Sequence, residues 1–319
     1  MLTMTTLKRA WRASAPLTVV GLVMLGAFLA SLLAMAADPR QILGAPAWLK
    51  PAKFAISAAI YAFTVAWIFT FLPQRSRLTA IVGWITAVVL VLEVGIIDLQ
   101  AARGVTSHFN AATTVDAALF GIMGTAIIIL WGAAVALTVA LFRQRFEDAS
   151  FGSALRLGML LTAIGQASGG FMTAPSSAQL EAARTTGLQV SGSHTVGAAD
   201  GGTGLPFTGW SREHGDLRVP HFVGLHAVQL LPAIVWLTAP TGSIARRRRA
   251  VVVAAGGYFG LFSILLAQAL SGQPLLAPQG AILVAFAAWA AALVLGSLFA
   301  LAGRVDRTSG GAVPMMVSR

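Results

Sequence analysis

The feature that most constrains the fold of this chain is a series of apolar runs, each close to twenty residues long. A helix of ~20 residues, rising ~1.5 Å per residue, crosses the ~30 Å hydrocarbon core of a bilayer. We therefore predict an all-α, polytopic integral membrane protein with about eight transmembrane helices. They lie near residues 15–36, 53–72, 78–97, 118–142, 153–174, 219–239, 250–270 and 279–303.

The composition agrees with a membrane location and excludes several other classes. Hydrophobic residues make up 57 % of the chain and charged residues only 10 %, whereas about a quarter of the residues of a soluble domain are charged. The chain has no cysteine, which excludes disulfides, thiolate metal or haem ligands and cysteine nucleophiles. We also find no glycine-rich phosphate loop, internal repeat or separate soluble domain.

The first apolar run has a second interpretation, as a cleaved signal peptide. Ala34, Met35 and Ala36 resemble the small-residue site of signal cleavage. The run is longer than the ~7–15 residues of a usual signal core, so we predict a retained helix.

The loop charges predict the orientation, because cytoplasmic loops carry the excess of Lys and Arg. With both termini cytoplasmic, the inner side holds most of the 22 basic residues, and the net charge of +11 needs no nucleic acid to explain it. Arg246–Arg249 then anchor the topology or contact anionic lipid headgroups. We predict a plasma membrane location, the bacterial inner membrane. The predicted parts are a cytoplasmic segment 1–14, a transmembrane domain 15–303 with a long outer loop 175–218, and a cytoplasmic tail 304–319.

The long outer loop divides into two halves of different character. The first half predicts a short amphipathic surface helix. The second half is rich in glycine and contains Leu205, Phe207 and Trp210 as apolar anchors, which favours a tightly turned lid over a flexible linker. The next transmembrane helix contains Pro232, where we expect a kink.

Polar residues are concentrated in the outer halves of the predicted helices and in the loops beside them. The stretch from Asp200 to Gln229 alone contains three of the five histidines. Charged side chains inside a membrane are costly and usually face a partner or a wet cavity, so we predict an outward-facing polar site. Its members are Glu93, Asp98, His108, Asp200, His214, Asp216, Arg218, His221 and His226.

These residue types allow several kinds of chemistry. A metal site uses imidazole and carboxylate ligands, and the candidates are His214, His221, His226 and Asp200. A haem needs axial imidazoles from two elements, for which His108 and His226 are the candidates. Acid–base chemistry without a metal uses Glu93 and His226, with Arg218 as the anion contact and Asp216 completing the catalytic set. Alternatively, Glu93 forms a structural ion pair with Lys53, Arg103 or Arg218.

Three functions remain open from the sequence. Polar groups that stop short of the inner halves favour an outer-face enzyme or redox protein that binds a metal, a haem or a small ligand from outside. A proton-coupled transporter, with Glu93 and His226 as carriers, is the first alternative. A noncatalytic membrane subunit that docks a partner through the outer loop is the second. The sequence motifs indicate no known family.

Overall fold

The structure, a computed structural model, describes residues 4–73, 76–241 and 243–302. Within these ranges it is all-helical, with eleven α-helices. The predicted cytoplasmic tail 304–319 and Arg75 lie outside the described residues. The helices are α1 Met4–Ala13, α2 Ala15–Ala37, α3 Leu49–Phe69, α4 Arg77–Arg103, α5 Thr114–Arg143, α6 Ala149–Ala167, α7 Ser177–Thr186, α8 Arg218–Leu225, α9 Ala227–Leu237, α10 Ile244–Leu270 and α11 Gly280–Ala302.

Two short antiparallel hairpins complete the regular structure. Strands β1 (Gln41–Ile42) and β2 (Ala45–Pro46) pair in the connection between α2 and α3. Strand β3 (Thr195–Val196) pairs with β4 (Gly215–Asp216), which brings the two ends of a long loop together. Both hairpins lie outside the long helices.

Six of the described helices are long and apolar enough to cross a membrane: α2, α3, α4, α5, α10 and α11. The pair α8 and α9 passes the same test only as a single broken segment, bent by 48°. The remaining predicted span corresponds to α6, which contains Arg156 and Gln166 and packs against α5, α8, α9 and α10. Because its neighbours surround it, α6 contains small and polar residues instead of a continuous apolar surface. The count of eight spans stays a prediction.

Two helices extend beyond their predicted ends because polar residues continue them. Helix α4 runs six residues past Ile97 to Arg103, where Gln100 Nε2 and Arg103 Nη1 each donate to Asp116 Oδ1 of α5, at 2.8 and 2.7 Å. Helix α10 begins at Ile244, so the four arginines predicted as a loop lie inside its first turns.

The two ends of the bundle differ in composition. We call the end that carries residues 187–217 the lid end, those residues the lid, and the end that carries Arg246–Arg249 the arginine end. The main apolar core is nearest the arginine end, where Phe69, Leu141 and Leu155 are almost fully buried. Buried carboxyl and amide side chains such as Glu93, Gln100 and Gln268 lie toward the lid end, whereas buried Arg247 and several buried hydroxyl groups lie toward the arginine end.

The loop between α6 and α8 confirms the predicted surface helix and shows how the lid is held. Helix α7 begins with a capping box formed by Ser176 and Gln179. The lid is attached through backbone hydrogen bonds from Ser191 N to Phe109 O and from Gly215 N to Gly272 O, both 2.9 Å. A side chain at Gly215 would overlap the carbonyl oxygen of Ala269 in α10, so only glycine permits this approach.

The predicted lid anchors are correct only in part. Trp210 packs against Phe222 of α8, with 5.7 Å between ring centroids. Phe207 is not an anchor, because its side chain is 89 % exposed at a turn with a positive φ of 63°.

Candidate functional site

Titratable side chains gather beneath the lid, between α3, α4, the loop 104–113 and the start of α8. Lys50 interacts electrostatically with Glu93, Asp200 and Arg218, and with Lys53 one turn further along α3. His108 interacts in the same way with Lys50, His194 and His221. We call this set the lid-end cluster: Lys50, Lys53, Glu93, His108, His194, Asp200, Arg218 and His221.

His108 lies in an aromatic environment at the centre of the cluster. Its ring centroid is 5.5 Å from that of Phe54 in α3 and 6.0 Å from that of Phe109. Burial lowers the pKa of His108 well below its usual range, and the charges of Lys50, His194 and His221 lower it further. The imidazole is therefore neutral at pH 7, and one ring nitrogen can accept a proton.

A buried pair in the lid closes one side of the cluster. His194 Nδ1 lies 2.6 Å from Asp200 Oδ2, and Phe109 packs on the His194 ring at 4.8 Å between centroids. Burial alone would raise the pKa of Asp200, but the hydrogen bonds and charge of His194 and the Ser193 hydroxyl together hold it below its usual range. Burial lowers the pKa of His194 more than Asp200 raises it. Asp200 therefore orders the lid.

Asp216 and Arg218 form a second buried pair that fixes the lid to the bundle. Arg218 Nη2 donates to Asp216 Oδ2 at 2.5 Å and to Gly209 O at 2.6 Å. The Asp216 side chain is fully buried, and its Oδ2 also accepts from Ser211 N at 2.7 Å. These contacts use most of the hydrogen-bonding capacity of both predicted catalytic residues.

The two lysines of α3 lack carboxylate partners. Lys53 Nζ donates to the lid carbonyl of Thr208 at 3.0 Å, and Lys50 Nζ lies over the Phe54 ring, 5.7 Å from its centroid. Six ion pairs occur in the described ranges, and neither lysine takes part in them. The cluster thus contains two lysine side chains that form no direct ion pair within the described residues.

Glu93 is buried in α4 without the ion pair that we considered from the sequence. It is only 4 % exposed, and its Oε1 has no hydrogen-bond partner among the described residues. The charge that acts on it is that of Lys50. Asp98, one turn nearer the lid end, also has a buried unpartnered oxygen. The two carboxyl groups are therefore available to a ligand or a proton.

His221 is held by a close contact between two helices. Its Nδ1 lies 2.9 Å from Gly165 O of α6 and 3.4 Å from Ser168 Oγ. A Cβ at Gly165 would overlap the backbone of Gly224 in α8, so glycine at both positions lets the helices touch. His221 is thereby turned toward α6 and away from His226.

His226 lies at the break between α8 and α9, with φ of −92° and ψ of 3°. The break lies six residues before Pro232, where we expected a kink, and Pro232 itself is inside α9. Thr162 of α6 satisfies the interrupted backbone: its hydroxyl donates to Leu225 O and accepts from Val228 N, both at 3.2 Å. The break is therefore defined by tertiary contacts with α6.

Polar side chains continue from the cluster into the bundle. Gln166 Nε2 donates to the hydroxyl of Tyr61 at 3.3 Å, and Gln229 Nε2 donates to Thr64 Oγ1 at 3.2 Å. The side-chain oxygens of both glutamines are buried and have no partner in the described ranges. They form a polar strip beside the helix break.

The predicted metal site is not supported. Among the residues that the structure describes, no group of three or more His, Asp or Glu side chains could hold a metal ion. The reason lies in the partners of the predicted ligands: Asp200 binds His194, and His221 faces Gly165. His226 packs against Phe222, at 4.4 Å between ring centroids.

The two predicted haem ligands lie in separate surroundings. His108 is beside Phe54 and Phe109, whereas His226 is beside Phe222. Haem binding stays a prediction that these contacts do not favour.

His214 lines a small polar cavity inside the lid and not the lid-end cluster. This cavity has a volume of about 100 Å³. Glu213, Ser211, Arg218 and the glycines 201, 202 and 209 also line it. Arg218 belongs both to this cavity and to the lid-end cluster.

Sequence reasoning missed several members of the site. His194 was overlooked because it precedes the dense histidine stretch, and its partner Asp200 lies six residues later with no recognisable motif. From the sequence, Lys50 and Lys53 could attract an anionic headgroup or substrate or be ordinary interfacial lysines, and the predicted site did not include them. The two lysines lie about one turn apart at the start of α3, beside a polar loop, and this spacing was the sequence signal that could have identified them as members of the site.

Comparison of the chain with protein families, curated proteins and solved structures finds no match. The functional conclusions below therefore rest on the geometry of the chain itself.

Proposed function

We propose that the protein is a plasma membrane protein of the bacterial inner-membrane type, with eight spanning helices, both termini cytoplasmic and the lid end outside. The positive-inside distribution of Lys and Arg supports this orientation. The central observation for function is the pair of lysines on α3 that have no carboxylate partner. On this basis, the lid-end cluster binds a small anionic molecule that enters from the outer side.

The reaction proposed for this site is proton transfer to or from the bound anion or a water beside it. A neutral His108 can act as the general base, since a free imidazole nitrogen accepts a proton. Lys50 and Lys53 stabilise negative charge that develops on the ligand. Glu93 is the second candidate acid or base, and the pairing of Arg218 with Asp216 assigns those two residues to holding the lid.

The decisive experiment measures binding of small anions to the detergent-purified protein. The probes are inorganic phosphate, sulfate, acetate and citrate, each tested by calorimetry at constant ionic strength. We expect at least one to bind, and Lys50→Gln to weaken that binding by roughly tenfold or more, because a charge-assisted contact contributes ~1.5–3 kcal/mol.

Lys8→Gln is the matched control, since Lys8 is exposed on α1 far along the chain from the cluster. It should leave anion binding unchanged. Equal binding in both variants, or no binding of any probe by the folded wild-type protein, would overturn the proposal. Given binding, His108→Gln tests the chemistry separately, because it should remove a proton-transfer activity while retaining most of the affinity.

The broken segment α8–α9 favours a second candidate function, proton-coupled transport of a small solute. Discontinuous helices form the substrate sites of many secondary transporters, and the strip of Tyr61, Thr64, Gln166 and Gln229 lies beside this break. Glu93 and His226 would carry the proton. Uptake into proteoliposomes that requires a pH gradient and is lost in Glu93→Gln would favour transport, whereas binding without uptake would exclude it.

A further inference from the structure

Four consecutive arginines form the first turns of α10 at the arginine end. Ser243 caps this helix by accepting a hydrogen bond from Arg246 N, and no acidic residue lies in the first turn. A helix N-terminus carries a partial positive charge. Arginines placed there repel both this charge and one another, so a bound anion would stabilise the arrangement.

Two of these arginines have buried N–H groups without an acceptor. Arg247 is only 5 % exposed, and its Nε has no hydrogen-bond partner among the described residues. Both Nε and Nη2 of Arg249 are buried and unpartnered in the same way. A guanidinium cannot lose its proton in a protein, so these charged groups remain available to an acceptor from outside the described chain.

The nearest acid is already engaged by the protein. Arg247 Nη2 donates to Asp148 Oδ2 at 3.0 Å. The other oxygen of Asp148 caps α6 by accepting from Ser150 N at 2.8 Å and from Phe151 N at 3.2 Å. One carboxylate thus caps the start of a second helix and also binds Arg247, and within the described residues Arg249 forms no ion pair.

Apolar surface next to the arginines identifies the kind of anion. Trp236 and Leu237 at the end of α9 are 61 % and 78 % exposed, and Ile244 and Val252 of α10 are also exposed. Tryptophan at a helix end is typical of the membrane interface, and basic pockets between transmembrane helices bind anionic headgroups. A ligand with a phosphate group and acyl chains matches both parts of this surface.

We propose that an anionic phospholipid binds at the arginine end, with its phosphate accepting hydrogen bonds from Arg247 and Arg249 and its acyl chains along α9 and α10. The planar guanidinium groups offer paired donors to phosphate oxygens. This site is independent of the lid-end cluster, so either proposal can fail without the other.

The experiment uses delipidated full-length protein in a neutral detergent. Short-chain phosphatidylglycerol, phosphatidylcholine and inorganic phosphate are titrated separately, and the shift in the thermal unfolding midpoint reports binding. We expect phosphatidylglycerol to raise the midpoint at much lower concentration than phosphatidylcholine. An equal response to free phosphate would overturn the lipid assignment, and an equal response to phosphatidylcholine would overturn the anion site.

Variants within the same arginine run locate the site. Arg247→Gln and Arg249→Gln should each weaken phosphatidylglycerol binding by roughly tenfold. Arg248→Gln is the matched control. Arg248 is exposed, and its substitution removes the same charge from the same turn of α10. An equal loss in all three variants would show a diffuse electrostatic effect and overturn the site.

One further variant guards against a folding defect. Arg249→Lys retains the charge but removes the planar group of donors, and it should fold while binding the lipid less tightly. Wild-type affinity in this variant would contradict the proposed guanidinium contacts.

Discussion

The lid end and the arginine end both bury cations without enough carboxylates, but the cations are of different kinds. At the lid end they are lysines that accompany His108, His194, His221 and Glu93, groups that can gain or lose a proton in a protein. At the arginine end they are guanidinium groups, which stay charged. The lid end is therefore suited to chemistry, and the arginine end to permanent attachment of an anion.

The two ends also differ in what holds their geometry. The lid end depends on close backbone contacts between α6 and α8, together with hydrogen bonds across the helix break. The arginine end depends on helix caps and a single ion pair with Asp148. The comparison predicts that small changes in side-chain volume disturb the lid end, whereas changes of charge disturb the arginine end.

The largest effect is expected from Gly165→Ala in the contact that supports His221. The added methyl group would overlap the backbone of Gly224, so we expect destabilisation of ~1–3 kcal/mol or more. Gly132→Ala in α5 is the control, because nothing lies within 4 Å of its added Cβ, and a helical glycine replaced by alanine gains ~1 kcal/mol. Thermal unfolding in detergent measures both. Equal stability of the two variants would refute the close contact.

Thr162→Val should have the second largest effect. It removes the hydroxyl that serves both Leu225 O and Val228 N, leaving buried backbone groups unpaired at a cost of ~1–3 kcal/mol. Thr138→Val removes a buried hydroxyl that bonds only to a carbonyl of its own helix, and it should be nearly neutral. Unfolding midpoints of the two variants provide the comparison. A neutral Thr162→Val would mean that the break does not need α6.

The smallest effect is expected from pH acting on the lid. The pKa of His194 is lowered in the folded protein, so the unfolded chain takes up a proton first as pH falls below about 6.5. The folded lid therefore loses stability as pH falls through that window. Asp200, whose pKa is also lowered, adds a further loss below about pH 4. His108 acts in the same direction as His194.

Limited proteolysis of the lid, normalised to cleavage of an unstructured peptide, tests this response. Cleavage should increase between pH 6.5 and 5 by at most roughly tenfold per pH unit for each histidine that becomes protonated, and His194→Gln should reduce the pH dependence. Cleavage near residues 243–249 should not change over the same window, because arginines do not titrate there. A pH-independent lid would remove the proposed difference between the ends.

The long helices of this fold could be predicted from the sequence because runs of apolar residues form them. Each of the eight predicted segments overlaps a helix, because apolar runs of that length have few alternatives. The sequence prediction ended α4 too early, because Gln100 and Arg103 are polar. Their hydrogen bonds to Asp116, which is distant in sequence, cannot be recognised from the pattern of apolar residues. The polarity difference between the two ends was also readable, since it depends on which residues lie in which half of a helix.

The details of the site required tertiary contacts. Pro232 was the expected cause of a bend, but the break occurs at His226, where the Thr162 hydroxyl can replace lost backbone hydrogen bonds. The metal prediction is not supported because side-chain direction decides coordination, and His221 contacts Gly165 O of α6. The hydrogen bond between His194 and Asp200 depends on the turns of the lid, which a periodic sequence pattern cannot predict.

The hydroxyl of Thr162 has a consequence for how the chain is built. Helices α8 and α9 have eight and eleven residues, so neither alone reaches across a bilayer of ~30 Å. Because α6 precedes them in the chain, it is synthesised before they emerge from the ribosome, and N-terminal elements are available first. We expect the broken segment to enter the membrane late and only against α6. The ribosome thus completes α6, which stabilises the break, before it synthesises α8 and α9 on either side of that break.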